Sequence, residues 1–144
     1  MASAALSAFG TLLKIGDGAS PEVFATVAEL RTISGPKLSA DTIDVTTHNT
    51  PTPFRRFIAG LLDGGEVTFD INFIPTEATH SYSTGLLGDM VARERRNFQI
   101  IWPDTAATTW LLPTVITGFE TSSDPADVLQ ASVTLKVAGP PTFA

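Results

Sequence analysis

The clearest structural signal in this sequence lies at residues 65–74, which read GEVTFDINFI. The side chains alternate strictly between apolar and polar: Val67, Phe69, Ile71 and Phe73 fall on one face of an extended chain, and Glu66, Thr68, Asp70 and Asn72 fall on the other. Period-two alternation is typical of a β-strand that buries one face and leaves the other in water. Pro75 ends the run, because proline lacks the N–H that a strand ladder needs. The stretch predicts a half-buried strand.

Further strands are predicted on either side of this stretch, because short apolar or β-branched runs alternate with turn residues. These runs lie at residues 11–15, 23–33, 98–102, 109–121 and 128–137. β-Branched and aromatic residues favour strands, whereas Gly, Pro, Asn and Asp favour the turns between them. Pro113 interrupts one of the runs and predicts an edge position or a β-bulge there.

One α-helix is predicted at about residues 81–93, where apolar side chains recur at helical spacing: Tyr82, Leu86, Leu87, Met90 and Val91. Gly85 and Gly88 weaken this helix by up to roughly 1 kcal/mol each relative to alanine. Arg93, Arg95 and Arg96 follow, where a helix C-terminus favours cations. Glu94 lies among these arginines, so a salt-bridged structural or interface role is favoured over phosphate binding.

Six or seven antiparallel strands with one flanking helix indicate a mainly β fold, either a β-sandwich or an incomplete barrel. The 144 residues are expected to form a single domain. Three segments are expected outside the regular elements: a flexible N-terminal arm at 1–10, a long loop at 34–64 with one brief extended piece at 42–47, and a short mobile tail at 140–144. A loop of that length is unusual in a compact domain and is commonly an interaction segment.

The composition excludes several classes of protein. The chain has no cysteine and two histidines, which leaves no disulfide framework and no thiolate metal site. No apolar run reaches the roughly 18 residues of a membrane span, and the start lacks the basic region of a secretory signal, so cytosolic synthesis is expected. The net charge is −6 at pH 7. Affinity for DNA or RNA comes largely from Lys and Arg at phosphates, so an acidic chain without a basic block binds nucleic acid poorly.

No catalytic, cofactor or metal site is predicted. Asp44, His48 and a serine could be combined into a triad, but no Gly-x-Ser-x-Gly motif marks an activated serine. His48 and His80 lack a third ligand at metal-binding spacing. Glu66 and Asp70 lie about 13 Å apart along a strand, beyond the roughly 5–9.5 Å between the carboxylates of glycosidases. These residues are interpreted as ordinary loop and surface groups.

Five segments, taken in order, resemble the tail tube proteins of bacteriophages, the major tail proteins of long non-contractile tails. They read DVTTHN at 44–49, FRRFIAGL at 54–61, DGGEVTFDINF at 63–73, FQIIWPD at 98–104 and LQASVTLKVAGP at 129–140. Each segment is degenerate alone, whereas the series is fairly specific. The resemblance implies a β-sandwich with one flanking helix, stacked as six-fold rings into a hollow tube that conducts DNA, with no catalytic residues and no cofactor.

The resemblance also implies partners and a place of action. The partners are other copies of the chain, the tape-measure protein, and the tail-tip and terminator proteins, while DNA passes through the lumen without specific binding. The place is the tail of a virion, assembled in the bacterial host cytoplasm. The long loop is implicated in ring-to-ring contact, and its candidate contact residues are Phe54, Arg55, Arg56, Phe57, Ile58 and Leu61.

The lumen is expected on a polar strand face that repels phosphate. Glu66 and Asp70 are the candidate lumen-lining residues, because they lie on the wet face of the best-defined strand. The strand at 130–136 is the alternative. Other readings of the whole chain remain open: the inner tube of a contractile injection or type VI secretion apparatus, or a small β-sandwich module that binds to or decorates a virion. A hydrolase is a more distant alternative.

Overall fold

The computed structural model describes residues 3–49 and 51–143. These residues form a mainly β structure with one short helix, as the sequence predicts, and all of its strand pairs are antiparallel. The elements in chain order are β1 (Leu12–Gly16), β2 (Phe24–Thr26), β3 (Leu30–Ser34), β4 (Ser39–Asp44), β5 (Phe57–Asp63), β6 (Glu66–Asn72), α1 (Leu86–Val91), β7 (Arg95–Ile101), β8 (Thr109–Ser122), β9 (Gln130–Val137) and β10 (Thr142–Phe143).

Eight of the strands form one sheet that curls back on itself. Its order is β2-β1-β7-β8-β9-β6-β3, with β10 also paired to β8. β2 and β3 lie at opposite ends of this order, yet only residues 27–29 separate them in the chain. Because such a link spans at most roughly 14 Å, the two ends of the sheet must approach each other. The result is a sandwich-like incomplete barrel whose two layers share the long strand β8.

The core lies between the two layers of the curled sheet. The alternation at residues 66–72 is confirmed: Val67, Phe69 and Ile71 are buried, and their polar neighbours face outward. Strands β1, β7, β8 and β9 contribute the facing side chains of the same cluster. Its other buried members include Leu13, Ile15, Val27, Leu86, Phe98, Ile100, Leu112, Ile116, Ala131, Val133 and Leu135.

Two strand predictions were wrong in detail. The run at 23–33 is two strands rather than one, because Glu29 adopts a left-handed backbone (φ 59°) that turns the chain between β2 and β3. Pro113 lies at neither an edge nor a bulge, since it pairs with Asn97 inside β8. Its carbonyl accepts a hydrogen bond from the N–H of Ala138 at 2.7 Å. On that side β8 changes partner from β9 to β10, so no ladder bond there requires the missing N–H.

The helix is shorter than predicted, with six residues instead of the thirteen at 81–93. Gly85 stands at its N-cap without a side-chain cap, and Arg93 adopts a left-handed conformation (φ 58°) just after its end. Leu86 is fully buried and fixes the helix against β8 and the core. No helix in the described part of the chain has the length and apolarity to span a membrane.

The two termini differ from each other. Residues 3–10 are exposed and form no strand, in line with an N-terminal arm, while residues 1 and 2 lie outside the described part. The expectation of a loose C-terminal tail at 140–144 was wrong for Thr142 and Phe143, which pair with β8. The ring of Phe143 meets that of Trp110 edge to face at 4.8 Å, and this contact holds the tail on the sheet. Residue 144 is not described.

Candidate assembly surfaces

One layer of the curled sheet presents a continuous polar surface, here called the polar sheet face. It consists of the outward side chains of β3, β6, β9 and the second half of β8, which register places in rows across the strands. It carries three carboxylates and one lysine among many hydroxyl and amide groups. Its members are Thr32, Ser34, Glu66, Thr68, Asp70, Asn72, Glu120, Ser122, Gln130, Ser132, Thr134 and Lys136.

Both predicted lumen residues, Glu66 and Asp70, lie on this face. The alternative strand at 130–136 is part of β9, which pairs with β6 in register, so that Glu66 lies opposite Lys136 and Asp70 opposite Ser132. The two candidate strands are therefore neighbours on one surface, and they are not competing locations for a lumen.

Asp70 ties three strands together on the polar sheet face. Its Oδ1 accepts a hydrogen bond from the hydroxyl of Ser132 at 2.6 Å, and its Oδ2 accepts one from the hydroxyl of Thr32 at 2.9 Å. The carboxylate therefore lies within a hydrogen-bond network across β3, β6 and β9. Asp70 lies on the outward face that the sequence predicts, and its hydrogen bonds also hold the edge strand β3 to the sheet.

The segment at 34–64 is not a long irregular loop but a β-hairpin, here called the stem hairpin. β4 and β5 pair with each other from Ser39↔Asp63 to Asp44↔Phe57 and form a separate two-stranded sheet. The irregular parts are residues 35–38, which lead into β4, and the described residues of the connection at 45–56, within which residue 50 lies outside the described part. Sequence reasoning missed β5 because Phe57, Ile58, Leu61 and Leu62 place apolar groups on both faces, which removes the period-two pattern.

The stem hairpin exposes large apolar side chains on both faces. Leu61 and Leu62 are each 82% exposed, and Ile43, Phe57 and Ile58 are about half exposed. A two-stranded hairpin without a core is only marginally stable in water, and clustered exposed apolar groups mark interaction sites. Of the predicted contact residues, Phe57, Ile58 and Leu61 therefore lie on this exposed hairpin. Ile43 and Leu62 join them, although the sequence did not single them out.

The remaining predicted contact residues, Phe54, Arg55 and Arg56, lie where the connection re-enters β5. Phe54 is 76% exposed. The hydroxyl oxygen of Thr46 accepts a hydrogen bond from the N–H of Arg56 at 2.8 Å, which ties the two ends of the connection together. Thr46 also bonds Asp44 through its N–H at 2.9 Å, and the hydrogen bonds of Thr46 lower the pKa of Asp44. The two ends of the connection are thus joined where it leaves the stem; the part at Phe54, Arg55 and Arg56 is here called the tip.

Asp63 and two glycines hold the base of the stem hairpin. The Asp63 carboxylate accepts hydrogen bonds from the N–H of Gly65 at 2.8 Å and from Lys136 Nζ at 3.1 Å. The bond from Gly65, followed by the ammonium of Lys136, lowers the pKa of Asp63. Gly65 has φ +72°, and a Cβ there would collide with the carbonyl oxygen of Lys37. A Cβ on Gly64 would collide with Val137, so the junction is tight.

We expect Asp63→Asn to destabilise the chain at pH 7, and the difference from the unaltered chain to vanish in acid. The folded-state pKa of Asp63 is below the ordinary value of 3.8, so its contribution is complete above pH 3.8 and is lost as pH falls through the folded pKa. Urea unfolding of both chains at neutral and acidic pH measures this. A difference that persists below the folded pKa would mean that the carboxylate charge is not its cause.

The two histidines considered as catalytic or metal-binding residues have ordinary surroundings in the structure. His80 is fully buried: its Nδ1 accepts from the N–H of Ile74 at 3.2 Å, and its Nε2 donates to the carbonyl of Ala28 at 2.7 Å. This core histidine joins two loops through its ring nitrogens. His48 is exposed on the connection of the stem hairpin. Over residues 3–49 and 51–143, no group of three or more His, Asp or Glu side chains could hold a metal ion.

One member of the arginine cluster, Arg96, has the salt-bridged role that the sequence indicates. Arg96 Nε lies 3.2 Å from the Asp89 carboxylate, and its guanidinium also pairs with Glu94. Burial raises the pKa of Asp89, and the charge of Arg96 partly offsets this effect. Arg95 and Arg96 lie in β7 rather than at the helix end, so the ion pairs connect α1 to the sheet.

The structure thus combines a buried core with two distinct surfaces, the polar sheet face and the exposed apolar stem hairpin. Residues 10–144 match the protein family described as Lambda phage tail tube protein, TTP. The chain belongs to this family. It is a tail tube subunit, located in the tail of a phage or phage-like particle, and the family is a structural one. Among curated proteins the comparison found no match.

Three solved structures are similar to this chain. The tail of an empty gene transfer agent (GTA) particle, refined with C6 symmetry, is 22% identical with a TM-score of 0.76, covering 97% of this chain and 99% of that one. The virion of a native GTA particle is 21% identical with a TM-score of 0.73 and the same coverage. An extracellular contractile injection system with its sheath/tube terminator in the extended state is 15% identical with a TM-score of 0.70, covering 99% of both chains. These likenesses show a shared fold.

Proposed function

We propose that this chain forms hexameric rings that stack into a hollow tube, and that the polar sheet face lines the channel through which DNA is delivered. The polar sheet face carries the proposal. It is a continuous layer of hydroxyl, amide and carboxylate groups on the outer side of strands whose inner side packs in the core. The six-fold symmetry of the similar GTA tail supports the ring size.

The free edge of the sheet offers a way to close the ring. Within the described residues, β3 pairs with β6 alone in the sheet and is one of its two end strands, with β2 at the other end. An unprotected edge is a hazard for a monomer, since it pairs with any available strand. In a ring the same edge becomes an interface with the neighbouring subunit. β3 also borders the polar sheet face, so pairing at this edge would continue that face around the channel.

The charge of the polar sheet face suits a channel for DNA. Its charged members are Glu66, Asp70, Glu120 and Lys136, so carboxylates outnumber the cation. Each carboxylate is repeated around a ring and again in each stacked ring. Phosphates near these rings are repelled by about 1 kcal/mol per close pair in water. The channel therefore lets the duplex pass without holding it.

The stem hairpin supplies the contact between rings. Its exposed apolar groups, with Phe54, Arg55 and Arg56 at the tip, have no place in the core of their own subunit. Stacking of identical rings is head to tail, and such contacts do not close, so a filament grows. The two ends of such a filament present different surfaces, and each end needs a partner. This supports a terminator at one end and tail-tip proteins at the other, with the tape-measure protein inside.

The role is structural, without catalysis or a cofactor. This part of the proposal is supported by the structural family and by the hydrogen bonds that both ring nitrogens of His80 make within the core. Assembly takes place in the bacterial host cytoplasm, where the other tail components are made.

Negative-stain electron microscopy of the purified chain at rising concentration tests the proposal. We expect rings first and hollow tubes at higher concentration, because each stacking contact is made only between copies. A β-sandwich module that binds or decorates a virion would instead remain monomeric at every concentration. That outcome would contradict the proposed function.

A further inference from the structure

An apolar groove lies at the base of the stem hairpin, where the C-terminal tail passes beside it. Its volume is about 520 Å³, within the range of ordinary ligand pockets. Leu38 and Leu62 from the hairpin form one wall, and Pro140, Pro141 and Phe143 from the tail form the other. Asp63 is the one charged residue among its described lining residues, and its side chain is 57% exposed. The groove is therefore apolar, and the one carboxylate on its rim already pairs with Lys136; an ionised carboxylate has acceptor positions for a further donor.

The opposite end of the same hairpin has complementary chemistry. Phe54 is an exposed aromatic ring, and Arg55 and Arg56 follow it directly. An aromatic side chain fits an apolar groove, and a guanidinium beside it can pair with a carboxylate on the rim. The stem hairpin thus carries an aromatic, basic tip and an apolar, acidic base.

The tip cannot reach the groove of its own subunit. Phe54 precedes β5, whereas Leu62 and Asp63 lie at its far end. The seven residues of this strand span about 24 Å, and the paired strand β4 keeps the stem extended. Any contact between tip and groove must therefore join two copies of the chain.

We propose that the tip at Phe54, Arg55 and Arg56 docks into the groove of a second copy, seated by Leu38, Leu62 and the C-terminal tail, with an arginine at the Asp63 rim. The proposal rests on the proposed stacking function and specifies the receiving surface. It makes the contact heterologous, since tip and groove are different surfaces. Each subunit then receives one tip and provides another, which is the requirement for an open filament.

Cysteine cross-linking tests this pairing directly, because the natural chain has no cysteine. One variant carries Pro53→Cys, next to the tip, and a second carries Ser39→Cys, beside Leu38 at the groove. Both positions are exposed, and Phe54 and Leu62 stay in place, so the proposed contact can still form. The two variants are mixed, assembled into tubes and treated with a short bismaleimide. We expect the mixed sample to give more covalent dimer than either variant gives alone.

The double variant Pro53→Cys/Ser39→Cys gives an independent readout. Head-to-tail docking predicts a ladder of dimers, trimers and longer covalent chains from its tubes. Tubes that form without a mixed dimer band would overturn the groove assignment while leaving the tube function intact. Tubes in which Phe9→Cys, from the exposed N-terminal segment, replaces Pro53→Cys as the efficient partner of Ser39→Cys would also overturn it. Failure to form tubes with the unaltered chain counts against the proposed function itself.

Discussion

Replacing residues 46–56 with an Asn-Gly turn is expected to abolish tube assembly and to leave a folded monomer. The ends of this segment are already neighbours, since Asp44 pairs with Phe57, and a short turn can close a hairpin. No member of the core cluster lies in β4, β5 or their connection, so folding does not depend on the tip. Assembly does depend on it in our account, because Phe54, Arg55 and Arg56 would be lost together.

Size-exclusion chromatography, circular dichroism and negative-stain microscopy measure this result. The matched control replaces the same residues by a Gly/Ser segment of unchanged length, which separates the length of the connection from its side chains. We expect this control to fold and also to fail in assembly. Normal tubes from the shortened chain would show that the tip makes no contact between rings.

Replacing Glu66 and Asp70 by lysine is expected to make empty tubes bind DNA at low salt. Both side chains lie on the polar sheet face, so the substitution turns two carboxylates per subunit into two ammonium groups along the channel. Lys and Arg bind DNA by releasing counterions from phosphates, so the new affinity falls steeply as salt rises. Ejection of DNA through such tubes would be slowed or blocked.

The hydrogen bonds of Asp70 shape the controls for this experiment. Loss of the bonds from Thr32 and Ser132 is expected to lower the free energy of unfolding by about 1 kcal/mol, which urea unfolding can verify. The matched variant Glu66→Gln/Asp70→Asn removes charge without adding any and is expected to bind DNA weakly or not at all. If tubes of the lysine variant ignore DNA at low salt, Glu66 and Asp70 do not face the channel.

The sequence predicts those parts of the fold in which burial is one-sided. β6 and β9 alternate between the core and water, so their period-two pattern is visible in the residues themselves. The pairing of these two strands could not be predicted, because strand order depends on contacts between distant segments. For this reason the sequence alone leaves residues 66–70 and 130–136 as alternative lumen strands. The register of the structure places them side by side.

The stem hairpin escaped prediction for the opposite reason. β5 is apolar on both faces, and neither face packs in its own subunit. Its exposed apolar residues therefore remove the alternating pattern by which a strand is recognised in the sequence. Prediction of the groove from the sequence would require even more knowledge of the tertiary structure. Leu38, Leu62 and Phe143 meet only because the tail returns to β8 beside the hairpin, and no local pattern in the sequence indicates that meeting.

The central claim is the orientation of the subunit in the tube, and a helical reconstruction of assembled tubes by cryo-electron microscopy tests it most directly. The account predicts six subunits per ring, β6 and β9 on the channel wall with Glu66 and Asp70 pointing inward, and the stem hairpin of each subunit reaching a copy in the next ring. A channel lined by another surface, with the polar sheet face turned to the outside of the tube, would contradict it.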